Sequence, residues 1–245
     1  MSTLIFAHRG ASADRPENTL EAFALAIKYG ADGFELDVHL TRDGHIVASR
    51  DYTINRVSDG TGTIEEMDLD ILRQYNFAKY ISGQKPCMIP TLTNVYELIA
   101  DTKHIVNVEL KTMERPYERM PEKLIQLEKE FNMTGRVLYS SVNHYSLQAI
   151  KEISPDAEVA PIYNIPLVKP WEYAKTLGAS TIHPGFEVIK RNPQIVELCH
   201  QNGIKVNVYV PDDSPTEMEY LMKLGVNGIL TNKPNVAYFV RDDLN

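Results

Sequence analysis

Short apolar runs alternate with amphipathic segments along nearly the whole chain, and this rhythm constrains the fold more than any single motif. A strand buried in a parallel sheet has helices over it, so it reads as a compact run rich in Val, Ile and Leu. Such runs occupy 4–7, 33–40, 105–110, 137–142, 157–162, 181–182, 205–210 and 228–230. Segments with helical period lie between them at 20–29, 92–100, 121–131, 145–153, 170–177, 193–201 and 216–224. Three of these end in Leu177-Gly178, Asn202-Gly203 and Leu224-Gly225, the glycine stop expected where a helix hands over to a strand. A ninth run at 45–49 follows Asp43-Gly44 and reads as a hairpin partner of the second strand. Eight strands in constant β-then-α order predict an α/β chain closed into a (β/α)8 TIM barrel, a fold that fits 245 residues as one domain spanning 1–245. The segment 53–90 breaks the alternation with polar residues, Gly60, Gly62 and Gly83, and is expected to be an inserted cap over the active face. An open doubly wound sheet is the rival, but no glycine-rich phosphate loop opens any helix.

A net charge of −8 argues against general binding to nucleic acid or to anionic membranes. Cys87 and Cys199 stand far apart without metal-type spacing and read as free thiols. No signal peptide and no apolar stretch of bilayer length is visible, so a cytoplasmic location without membrane insertion is expected. A homodimer through exposed helix faces stays open.

Barrel chemistry sits at the carboxyl ends of the strands. The polar residues ending the runs include His8, Arg9, Glu35, Asp37, Glu109, Lys111, Ser140, Ser141 and Tyr209. Glu35 and Asp37 are two apart and share a face of their strand, and Glu109 and Lys111 repeat that spacing. Phe34, Leu36 and Val38 fill the other face, which belongs outward under the helices and leaves the acids pointing into the barrel. Three carboxylates converging on one mouth repel one another unless a cation sits among them, and hard oxygen ligands favour Mg2+ or Ca2+. Lys111 has two readings, a partner for Glu109 or Glu35 and a contact for phosphate. Asn18 can cap the helix that begins near Leu20, with Glu21 at near capping-box spacing.

The ordered run His8-Arg9-Gly10, Pro16-Glu17-Asn18-Thr19, Glu35-Leu36-Asp37-Val38 and Thr41-Arg42-Asp43-Gly44 resembles the glycerophosphodiester phosphodiesterase family. The resemblance continues through Asp59-Gly60-Thr61-Gly62, Ile89-Pro90-Thr91-Leu92, Val108-Glu109-Leu110-Lys111 and the closing Gly225-Val226-Asn227-Gly228. It implies a bacterial, cytoplasmic-type enzyme of glycerol and lipid metabolism that hydrolyses a small-molecule phosphodiester to glycerol 3-phosphate and an alcohol. It also implies a divalent ion on Glu35, Asp37 and Glu109, phosphate contacts from Arg9 and Lys111, an aromatic substrate wall at Tyr209, and His8 as one of two histidines serving as acid and base.

One departure matters. Where that family continues into a His-Asp pair, this chain reads Ser49-Arg50-Asp51, so Arg50 takes the place of the second catalytic histidine. A guanidinium grips phosphate but keeps its proton, and loss of one acid or base costs about 10²–10⁴-fold in rate. The expectation is a phosphodiesterase with impaired or altered activity; the alternative is a non-catalytic phosphodiester-binding protein on the same barrel. His39, which shares strand parity with Glu35 and Asp37, and the metal paired with His8 are the candidates to restore proton transfer. Asn232, where the family often has aspartate, is expected to carry little catalytic consequence.

Overall fold

The strand register closes on itself. In the computed structural model, which describes residues 2–244, the strands are β1 (Leu4–His8), β2 (Gly33–Leu40), β3 (Ile46–Ala48), β4 (Ile105–Leu110), β5 (Val137–Ser141), β6 (Glu158–Tyr163), β7 (Thr181–Pro184), β8 (Lys205–Tyr209) and β9 (Gly228–Thr231). Every strand but β3 pairs parallel to its neighbours in the order β1-β9-β8-β7-β6-β5-β4-β2, and the β1–β2 pairing completes an eight-stranded barrel. The extra strand β3 runs antiparallel to β2, with Val38 opposite Ala48, as the Asp43-Gly44 turn requires.

The helices are α1 (Leu20–Lys28), α2 (Leu69–Leu72), α3 (Leu92–Ile99), α4 (Met120–Glu130), α5 (His144–Ile153), α6 (Pro170–Thr176), α7 (Phe186–Arg191), α8 (Gln194–Gln201), α9 (Pro215–Leu224) and α10 (Pro234–Asp243). Their apolar stripes meet the outward faces of the strands in one continuous core, where Phe34, Leu36 and Val38 are wholly buried and Phe23 of α1 stacks on Phe34 at 4.6 Å. Three helices carry no strong periodic signal in the sequence, the first being the single turn of α2 within the 53–90 segment. Helix α7 is only six residues long, and α10 buries little beyond Pro234 and Ala237. Among the described residues no helix is long and apolar enough to cross a membrane.

Inside the barrel the lower layer is packed shut. The Phe6 ring lies between the strands on either side of β1, and a Cβ at Gly33 or Gly228 would come within 3.2 or 2.9 Å of it. The Ile105 carbonyl oxygen would clash with a Cβ at Gly33 and Asn207 Oδ1 would lie 2.7 Å from one at Gly228, so glycine is required at both positions beside a ring that is 2% exposed.

Between β3 and α3 the chain leaves the barrel and folds round a second apolar cluster of Ile54, Val57, Ile64, Leu69, Leu72, Phe77 and Ile89, anchored on Val47. This segment stands beside the mouth. Its Arg56 donates to both oxygens of Glu17 at 2.7 and 2.9 Å, and its Tyr80 hydroxyl accepts the Glu17 N–H at 2.5 Å.

Candidate active site

The loop after β1 is fixed by a backbone turn that few residues tolerate. Arg9 has φ 57° and Gly10 φ 80°, and a Cβ on Gly10 would lie 2.6 Å from the Ala22 backbone of α1. The turn aims the Arg9 N–H at the Glu35 carboxylate, 3.0 Å away, and brings the Arg9 guanidinium Nε to 3.0 Å from Asp37. Arg9 Nη1 also reaches Glu17 at 3.3 Å. Asn18 takes part here rather than capping a helix. Its amide donates to Asp37 at 3.0 Å and accepts the Asp37 N–H at 3.3 Å, while Thr19 is the N-cap of α1.

Register places Asp37 beside Glu109, and ligand atoms of Glu35, Asp37 and Glu109 all lie within 4.8 Å of one another. Glu35 and Asp37 are each 1% exposed, and one oxygen of each has no hydrogen-bond partner. Burial, then the charges of Asp37 and Glu109, pushes the Glu35 carboxyl well above the usual range. Burial and Asp37 raise Glu109 as well, against the pull of Lys111. Burial acts upward on Asp37 too, but Arg9 and Lys111 outweigh it and hold that carboxyl low. Buried acid oxygens without donors, in a cluster whose acids oppose one another's ionisation, form a group that fits a hard divalent cation. Lys111 is engaged with the acids, 2.8 Å from Glu109 and 3.6 Å from Asp37.

His8 is oriented from behind by a residue 224 positions away. Its Nδ1 lies 2.8 Å from Asn232 Oδ1. The Asn232 amide nitrogen donates to Asp213 at 2.8 Å, which turns the amide oxygen towards His8. His8 Nδ1 therefore carries the hydrogen and Nε2 carries the lone pair, 3.8 Å from Glu35. Burial, then the Arg9 charge, lowers the His8 pKa to about 4 although Asn232 pulls it up. The Tyr209 ring packs on the imidazole with centroids 4.4 Å apart. The expectation that Asn232 matters little fails on this geometry, because it sets the tautomer of His8.

Arg50 lines the same cavity as His8, half exposed, with Nη1 held by Asp51 at 3.0 Å. Arg56 takes the other Asp51 oxygen at 2.6 Å, so two guanidiniums flank the mouth. His39 does not reach it. Its ring is wholly buried, with Nδ1 3.0 Å from the Tyr117 hydroxyl and Nε2 3.2 Å from the Arg50 carbonyl oxygen. Parity put His39 on the correct face, but the loops after β3 and β4 cover it. The cavity itself, about 1050 Å³, is also lined by His183, which the sequence reading did not single out.

A sequence model described as the glycerophosphoryl diester phosphodiesterase family matches residues 8–236. The chain belongs to this family of hydrolases. It is 41% identical over 239 residues to a glycerophosphodiester phosphodiesterase of Caldanaerobacter subterraneus subsp. tengcongensis, covering 96% of each chain. To one of Bacillus altitudinis it is 31% identical over 244 residues, covering 99% of each. The fold is similar to that of a phosphodiesterase from Oleispira antarctica solved with the product sn-glycerol-3-phosphate, with TM-score 0.86, 25% identity, and 98% of this chain and 97% of that chain covered.

Proposed function

We propose that this chain hydrolyses glycerophosphodiesters to sn-glycerol 3-phosphate and an alcohol, with Mg2+ or Ca2+ on Glu35, Asp37 and Glu109, and that Arg50 slows the reaction. The observation that carries this reading is the joint placement of His8, Arg9, Glu35 and Glu109 on the cavity lining, with Asp37 within 4.8 Å of both acids, in a family member. When bound, the cation neutralises charge building on the phosphoryl oxygens.

The remaining roles follow from this chain's own groups. Arg9 and Arg50 face the phosphate, and Lys111 keeps the acid cluster compensated from its far side. His8 Nε2, held unprotonated by the Asn232 contact, accepts a proton from the water that attacks phosphorus. The leaving oxygen meets Arg50 where the family histidine would supply a proton, so the P–O bond breaks to an alkoxide that Arg50 stabilises and that takes its proton from solvent water. Tyr209 backs His8 and closes the substrate wall, and the 53–90 segment, through Arg56, caps one side of the mouth. Recognition without turnover is not favoured, since His8 keeps its lone pair facing the acids. The cytoplasm is the proposed site of action, in glycerol and lipid metabolism.

The test is release of sn-glycerol 3-phosphate from glycerophosphodiesters with Mg2+, Ca2+ or a chelator, by this chain and by Arg50→His. Metal-dependent release that rises in Arg50→His supports the reading. Failure of both chains to form the product would sink it.

A further inference from the structure

The cavity is larger than a glycerol phosphate needs, and its two walls differ in chemistry. One wall, on β1, β2 and β4 with the arginines of the β3 side, carries the acids and cations described above. The opposite wall comes from β6 to β9 and presents Ile162, Asn164, His183, Pro184, Tyr209 and Leu230. On this side β7 carries His183 and β8 carries Asn207, both neutral and buried, in contrast to the acids of β2 and β4.

Several neutral hydrogen-bonding groups are left open on this side. The Asn207 amide nitrogen lies 3.1 Å from His183 Nε2, so Nε2 accepts and Nδ1 carries the N–H on a ring that lines the cavity. Tyr209 accepts from the Asn232 amide at 3.3 Å and keeps its own O–H to donate. On the floor between the walls, Asn107 is 1% exposed and its Oδ1 has no partner. A buried acceptor without a donor is costly unless a ligand or water supplies one.

The same wall offers little to a cation. Asp213 lines it, but its carboxylate already accepts from the Thr231 hydroxyl and from both nitrogens of Asn232. Glu187 stands at the rim beside Lys190 and Arg191, at 4.0 and 3.6 Å. Phe186 is 6% exposed and Lys190 sits over its ring at 5.3 Å, while Tyr209 gives a face to His8. Among the described residues of this wall each carboxylate is already paired, and the Tyr209 and Phe186 rings each have one face taken.

Resting on the hydrolysis proposed above, we infer that this wall is the leaving-alcohol pocket and that it selects a neutral polyol, such as a second glycerol, over choline. The hydroxyls of a polyol pair with Asn107, His183, Tyr209 and Asn164, while Ile162, Pro184 and Leu230 pack its carbons. A trimethylammonium group leaves all four polar groups unmatched. One unmatched buried hydrogen-bonding group is enough for a preference of about tenfold.

The experiment compares glycerophosphoglycerol with glycerophosphocholine on the Ca2+- or Mg2+-loaded full chain. It reads kcat/KM, and also Kd by calorimetry for each intact diester on His8→Ala. The expected result is at least about a tenfold preference for glycerophosphoglycerol in both readouts, narrowed to about threefold or less in His183→Leu. Asn164→Leu repeats the test should His183→Leu fail to fold. Equal handling of the two diesters, or preference for the choline ester, overturns the pocket while hydrolysis stands. A preference that persists undiminished in both variants overturns the assignment to this wall. If neither diester is bound or cleaved, the hydrolytic reading falls as well.

Discussion

His8 Nδ1 and Asn232 Oδ1 lie 2.8 Å apart, and the Asp213 carboxylate behind Asn232 fixes which way that amide faces. A neutral amide thus occupies the position from which a carboxylate would favour the imidazolium. Asn232→Asp should raise the His8 pKa from about 4, because a nearby negative charge stabilises the charged ring. His8 works as a base only when neutral, so the acidic limb of the kcat/KM against pH profile should move to higher pH. Asn232→Ala should cost about tenfold in kcat by releasing the ring. An acidic limb unmoved in Asn232→Asp would show that His8 is not the base.

Removing one acid should separate metal binding from fold stability. Glu35→Gln deletes a buried charge that burial and its acidic neighbours oppose. In chelator its Tm should equal or exceed that of the parent. With Mg2+ or Ca2+ at a hundredfold excess over Kd the parent should gain about 2.7 kcal/mol, and the variant little. Its activity should fall by more than the roughly 10–100-fold typical of losing a partner of a metal ligand. Equal metal-induced stabilisation of both chains would show that the cluster is not the binding site.

Acid should unfold the chain through its buried neutral histidines. Burial lowers His183 to about 3 and His39 to about 4, against about 6.5 in the unfolded chain. The unfolded state then binds more protons between those values, so stability is full above about pH 6.5 and is lost as pH falls towards 3 to 4. At pH 5 each ring contributes a loss of about 2 kcal/mol. Urea titrations at pH 7.5 and pH 5 should show it, and His183→Gln should lose about 2 kcal/mol less between the two. An identical loss in the variant would assign the acid sensitivity elsewhere.

Gly10→Ala should be among the most damaging single substitutions. The added methyl meets the Ala22 backbone at 2.6 Å in a residue with φ 80°, so relief requires moving α1 or the Arg9 turn. A loss of more than about 2 kcal/mol is expected, with activity lost through displacement of Arg9. A chain with normal melting and normal KM would contradict this account of the turn.

The barrel was legible in the sequence because each strand carries its apolar residues on the face its helices cover, and the acids followed from a spacing of two. His8, Glu35, Asp37 and Glu109 could be placed together on those local rules alone. Asn232 could not, since only closure of β9 onto β1 brings it to His8. His183 was hidden in a strand read as two residues long, which runs on to Pro184. Asn18 gave a strong local capping signal that its contact with Asp37 overrides. For His39, alternation fixed the side of the strand but not the cover laid over it by Tyr52 and Tyr117.

Phe6, wedged between Gly33 and Gly228, has a consequence for traffic. It lies two residues before His8 on β1, opposite Gly33 as His8 is opposite Glu35, and so closes the barrel floor one layer beneath the acids. Under the proposed hydrolysis both products therefore leave on the side from which the diester enters.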